Sequence, residues 1–136
     1  MPTIYRPIEI ENVSAVNASL MSVRYDQGRL LADYSVDDVP VIVRASIPSV
    51  ATYRLIDGNS MPADEIEQQE GLSRDHMLYL VSGAKYADQF RPVIEGRILH
   101  FRFVTGISCL DVLTTARPKI RKIVYASGDG ISLQQQ

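Results

Sequence analysis

Residues Ile98–Thr114, ILHFRFVTGISCLDVLT, constrain the fold of this chain more than any other stretch. Leu99, Phe101 and Phe103 alternate with His100, Arg102 and Val104. A period of two with aromatic residues marks a strand with two different faces. A second strand-like run, Cys109–Leu113, follows Thr105-Gly106-Ile107-Ser108. Gly106-Ile107 as a two-residue loop suits a type II′ turn, whose first central position needs φ > 0. That loop sets a register: Val104 opposite Cys109, Phe103 opposite Leu110, Arg102 opposite Asp111 and Phe101 opposite Val112. The register gathers Phe101, Phe103, Leu110 and Val112 on one apolar face and sets Arg102 against Asp111 on the other. A slip of one residue would turn one strand's apolar set to the wrong side. This hairpin is therefore expected to be the spine of the fold.

The rest of the chain supplies more strands. Leu20–Tyr34 reads as a hairpin around Tyr25-Asp26-Gln27-Gly28-Arg29, a type I turn closed by a left-handed glycine, which pairs Val23 with Leu31. Val41, Val43, Ala45 and Ile47 alternate as far as Pro48, and Val50–Ile56 places Ala51, Tyr53 and Leu55 on one face. His76–Val81 is expected as a strand buried on both sides, and Ile120–Tyr125 as the last strand. Pro7 points to an edge position, or to a break before a strand at Ile8–Val13. A short acidic helix is expected from Ser60-Met61-Pro62 to Gly71, and a second from Ser82 to Phe90 with Tyr86 and Phe90 at i, i+4. The sum is an α+β, mainly β chain: a curved antiparallel sheet or open barrel of about seven strands with one or two short helices. Residues 1–125 form one expected domain and 126–136 an expected flexible tail.

Composition narrows the function. The chain has 136 residues, 46% of them hydrophobic, which is enough for one core. A net charge of −2 does not describe a general nucleic-acid binder. The single cysteine fits a reducing cytoplasm. The stretch MPTIYRPIEIEN has no basic region followed by an apolar core, so it does not read as a secretory signal, and no apolar run is long enough to span a membrane. There is no His-x-x-x-His, no cysteine pair, no phosphate-binding glycine loop and no Gly-x-Ser-x-Gly elbow. Neither a metal nor a cofactor is expected.

Two kinds of candidate site remain. His100, Arg102 and Asp111 share a face of the central hairpin and could serve as acid or base, anion clamp and orienting carboxylate. The plainer reading is an Arg102–Asp111 cross-strand pair on a wetted face, with His100 half-buried beside it and Cys109 a small core thiol. The second kind is uneven surface charge. Asp64, Glu65, Glu67 and Glu70 lie in a stretch without a basic residue, and Arg117, Lys119, Arg121 and Lys122 in one without an acid. These read as partner-binding surfaces. The leading expectation is a small, non-catalytic bacterial protein of the cytoplasm that acts by protein–protein binding, in the manner of an immunity protein or antitoxin. A homo-oligomer is allowed, and nucleic-acid or membrane binding is not expected. The alternative is a small-molecule-binding or enzymatic open barrel with a polar site around His100; a structural or virion component is a second alternative.

Overall fold

In the computed structural model of the protein, the described residues are 2–57, 69–91, 97–125 and the backbone of Leu133–Gln135. Along the chain they form β1 (Thr3–Ile8), β2 (Ala18–Asp26), β3 (Arg29–Val36), β4 (Val41–Ile47), β5 (Val50–Asp57), β6 (Gln69–Glu70), β7 (Leu78–Ser82), α1 (Lys85–Phe90), β8 (Leu99–Val104), β9 (Ser108–Thr114), β10 (Lys119–Tyr125) and β11 (Leu133–Gln135). The strands divide into two sheets, ordered β5-β9-β8-β7-β1-β6 and β11-β10-β4-β3-β2. All pairings are antiparallel except β1 with β6. The described residues are thus mainly β with one short helix, and the sheets do not close into a barrel.

The central hairpin adopts the expected register, including Arg102 opposite Asp111 and Phe103 opposite Leu110. Its loop is closed differently. Gly106 does not take a positive φ. The Ser108 N–H instead donates to Thr105 Oγ1 at 3.1 Å, while Thr105 N–H donates to Ser108 O at 2.9 Å. A side-chain hydroxyl has taken the place of the turn's second main-chain acceptor, which removes the need for a left-handed glycine.

The β2–β3 hairpin differs by one residue from expectation. Val23 pairs with Ala32 and Arg24 with Leu31. Gln27 and Gly28 both have positive φ, 50° and 81°, so the loop has two residues in the left-handed region, as a type I′ turn requires. The tighter loop shifts the register and sets Leu30, Ala32 and Tyr34 inward. A bulge between Leu20 and Ser22 absorbs the offset further along.

The core lies between the sheets. Leu30, Ala32, Tyr34, Val43, Ala45 and Ile47 of the second sheet meet Leu78, Phe101, Phe103, Leu110 and Val112 of the first. Tyr34 stacks on Phe103 with ring centroids 5.9 Å apart. The chain crosses from one sheet to the other at Pro48-Ser49 and returns after Thr114. Buried Thr114 ties these two of the crossings between the sheets: its Oγ1 donates to Pro48 O at 2.8 Å and accepts the Ala116 N–H at 3.2 Å.

Pro7 pairs with Tyr79 on one side only, because β6 accompanies β1 just at Thr3 and Ile4. Pro7 thus sits on a stretch of β1 with no strand on its other side among the described residues, the edge position that proline tolerates. The expected helix over Ser60–Gly71 falls outside the described residues except at its end, where Gln69–Glu70 form β6. Gly71 has φ 88°, and a Cβ there would lie 2.2 Å from Tyr5 O, so β1 and β6 can approach only with glycine at that position. The second helix is α1. Ala84 precedes it without a side-chain cap, and Ser82, expected as that cap, is the last residue of β7. Tyr86 and Ala87 of α1 pack with Phe90, Ile98 and Leu113 on the side of the first sheet that faces away from the core. Of the chain beyond Tyr125, β11 pairs with β10.

Candidate functional site

The helix and its flanks hide the second face of the central hairpin. Alternation on β8 and β9 puts Phe101, Phe103, Leu110 and Val112 toward the core and His100, Arg102, Cys109 and Asp111 away from it. The outward set is not wetted. His100 is 2% exposed, Arg102 1% and Asp111 0%. Tyr5, Tyr79, Val81 and Ala84 form a small apolar cluster on this side, and α1 supplies another.

Asp111 is the centre of the arrangement. Its Oδ1 accepts from Arg102 Nε at 2.5 Å and lies 2.6 Å from His100 Nε2. Its Oδ2 accepts from Arg54 at 2.7 Å through one terminal guanidinium nitrogen and at 3.1 Å through Nε. Arg102 in turn donates to the Tyr5 hydroxyl at 2.5 Å. Four strands converge here, since Arg54 comes from β5, His100 and Arg102 from β8, Asp111 from β9 and Tyr5 from β1. Register explains how each arrives: Arg54 is the direct partner of Asp111 on one side and Arg102 on the other. His100 faces Leu113 in register, yet its ring reaches the diagonal position. Diagonal neighbours on a sheet face are within reach of long or aromatic side chains.

The electrostatics follow from burial opposed by pairing. Burial pushes the Asp111 carboxyl up, but the His100 hydrogen bond and the Arg102 charge outweigh it and hold the group well below the usual carboxylate range. Arg102 is held above its ordinary value, because the Asp111 charge more than offsets its burial. His100 goes the other way. Burial lowers its basicity beyond what Asp111 restores, with Arg102 and Arg54 adding repulsion. Hydrogen bonding gives the same sign. The Nδ1 atom is buried with no partner among the described residues, so a proton there would be an orphaned donor. The neutral ring with its proton on Nε2, directed at Asp111, is the form that fits.

The cover over the ring is specific. The Tyr86 ring centroid lies 5.8 Å from that of His100, and the Arg54 guanidinium carbon lies 4.3 Å from the Tyr86 centroid. Arg54 therefore bonds to the carboxylate and stacks on the aromatic ring that closes the site. Chemically, a His–Asp pair flanked by arginines has the parts of a general acid–base dyad. Here the one polar contact of the His100 ring among the described residues is committed to Asp111, and the His100 side chain is 1% exposed. What the arrangement does in this state is join β1, β5, β8 and β9 through one carboxylate.

The other expected site residues lie elsewhere. Glu70 is exposed on β6; Asp64, Glu65 and Glu67 fall outside the described residues. The basic run divides. Lys119 and Arg121 sit opposite Ser46 and Arg44 on the outer face of the second sheet, with exposed Arg117 just before them. Lys122 alternates to the other side, where its Nζ donates to Glu11 O at 2.6 Å. Arg44 is held by Asp33 through two hydrogen bonds of 2.8 and 2.9 Å. Cys109 is buried on the Arg102 side of the sheet. Among the described residues, no three side chains converge as a metal site, and no helix is long and apolar enough to cross a membrane. Arg54, Tyr5 and Tyr86 are the members of the cluster that sequence reasoning missed. The signal was present for Arg54, a lone cation alternating with Ala51, Tyr53 and Leu55, but nothing local says that β5 lies beside β9. In comparisons with family models, with curated proteins and with solved structures, nothing matches.

Proposed function

We propose that this protein acts by binding another protein and not by catalysis, covering a partner in the way immunity proteins and antitoxins do. The observation behind this reading is the closed state of the only acid–base cluster among the described residues: Asp111 is fully buried, and His100 and Arg102 nearly so. A catalytic group must reach the atom it protonates within hydrogen-bond distance or through one water.

The partner surface in this reading is the outer face of the second sheet. Arg121 stands directly opposite Arg44, with Lys119 and exposed Arg117 beside them. Like charges opposed across a strand pair disfavour folding, and Asp33 neutralises only Arg44. A basic stripe of this kind favours an acidic partner and speeds its encounter. The test is a triple reversal, Arg117→Glu, Lys119→Glu and Arg121→Glu, set beside the parent protein in capture from native lysate with mass-spectrometric identification. The expected result is a defined acidic protein held by the parent, released by salt and lost from the variant. Equal capture by both, or no capture by either, contradicts the proposal.

A second reading, a ligand or reaction site at His100, draws on the unpartnered Nδ1. It requires His100→Ala to abolish a ligand-induced thermal shift while the unliganded protein keeps its melting temperature. A large melting loss without ligand favours the structural role.

A further inference from the structure

One cavity has a chemistry that neither the sealed cluster nor the basic stripe accounts for. It lies at the ends of β7 and β8, beside β1, and its volume is about 320 Å³. Its walls include Arg6 from β1, Arg91 just after α1 and Arg97 just before β8, with Ser82 and an apolar floor of Leu80 and Leu99. Three guanidinium groups thus line one hollow, and no carboxylate lines it among the described residues. Arg91 has a partner in Asp88 at 3.2 Å, on a pair whose side chains are 50% and 60% exposed. Such a surface pair is weak and exchangeable. Arg6 and Arg97 form no ion pair among the described residues. Three cations drawn from separate elements repel one another in a concave wall, where field lines are focused. An anion seated among them removes that repulsion.

We propose that this cavity binds a small phosphorylated organic molecule: a phosphate group between Arg6, Arg91 and Arg97, and an apolar body over Leu80 and Leu99. The guanidinium fork matches phosphate oxygens in paired hydrogen bonds, which an ammonium would not do. The Ser82 hydroxyl adds a neutral donor at the rim. The volume lies at the lower end of the range for small-molecule sites and suits a mononucleotide-sized ligand. This site is independent of the protein-binding face, since none of Arg117, Lys119 and Arg121 lines it.

The experiment is a titration of the full chain with phenyl phosphate, AMP and inorganic pyrophosphate, using phenol and adenosine as uncharged controls. Binding is read by calorimetry and by the imidazole carbon-bound proton resonances. The chain has two histidines, and His100 borders this cavity whereas His76 does not. The expected result is that at least one organic phosphate binds more tightly than pyrophosphate, the uncharged controls do not bind, and His100 shifts while His76 stays still. Arg6→Ala combined with Arg97→Ala is expected to weaken binding at least tenfold. Both side chains are exposed, so the variant is expected to fold, and an unchanged melting temperature verifies this. Failure of all three phosphates to bind, unchanged affinity in the folded double variant, or a shift confined to His76 overturns the proposal.

Discussion

Two cross-strand aspartate–arginine pairs among the described residues, Asp33 with Arg44 and Asp111 with Arg102, live in opposite surroundings. On the outer face of the second sheet, Asp33 and Arg44 face each other across β3 and β4, with side chains 13% and 28% exposed. On the outer face of the first, Asp111 and Arg102 face each other across β8 and β9, with side chains 0% and 1% exposed. Cross-strand placement is the same. The difference is α1 and the segment before it, which cover one face and not the other. Water helps to screen the first pair, so that pair can be modest and solitary. The second has lost its water, and Arg54, His100 and Tyr5 have been recruited in its place. Pairing alone therefore decides little; the cover over a pair decides how many partners it must have.

The largest effect separates the two carboxylates. Asp111→Asn leaves two arginines facing a neutral amide in a dry site, and removing one member of a buried pair costs about 3–5 kcal/mol. Asp33→Asn is expected to cost about 1 kcal/mol or less, as partly exposed pairs do. Urea unfolding of the two variants measures both, and equal losses would erase the distinction. Arg54→Met sharpens it: the change removes Asp111's second guanidinium and the cation over Tyr86 together, with an expected loss of about 2 kcal/mol.

Acidity supplies the next test. His100 has a native pKa below that of the unfolded chain, so between that value and about 6.5 the unfolded chain binds a proton that the native protein does not. Stability should fall on acidification through this window, by at most about 1.4 kcal/mol per pH unit. Asp111 is also lowered, so it adds a second loss of the same sign below about pH 4. His100→Gln should remove the upper part of the slope and leave the lower. A parent profile flat from pH 7 to 4 contradicts the His100 direction, and one flat below pH 4 contradicts that of Asp111.

The smallest expected effect lies on the core side of the second sheet. The Tyr34 hydroxyl is fully buried and has no partner among the described residues. Burial alone accounts for most of its raised pKa. Tyr34→Phe deletes that oxygen and keeps the stacking on Phe103, so it should be neutral or stabilising by up to about 1 kcal/mol. A clear loss in thermal melting would point to a hidden partner for the hydroxyl.

Much of this was legible in the sequence where the signal was local. The alternation Leu99–Val104, the apolar set of Cys109–Leu113 and the length of the loop between them were enough for the central register. The β2–β3 hairpin shows the limit of local reading. Gly28 announced a left-handed turn residue, but nothing marked Gln27 as a second, and that one dihedral moves every pair by one. The candidate site was half legible for a related reason. Arg102 and Asp111 are neighbours through a short loop, whereas Arg54 and Tyr5 reach Asp111 only through strand order. Alternation also shows that a strand has two faces without showing which is covered. Tyr86 and Ala87 of α1, packed on Leu113, turned an expected wet ion pair into a dry network.

The most direct test of that network is nitrogen-detected NMR of the His100 ring between pH 7.5 and 5. A closed cluster predicts a ring that takes up its second proton only below the ordinary histidine range, with a slowly exchanging Nε2–H and an unprotonated Nδ1 while it is neutral. A ring that takes up its second proton near pH 6.5 or above, or an Nε2–H that exchanges rapidly with water, contradicts the sealed site and returns His100 to the list of groups available for chemistry.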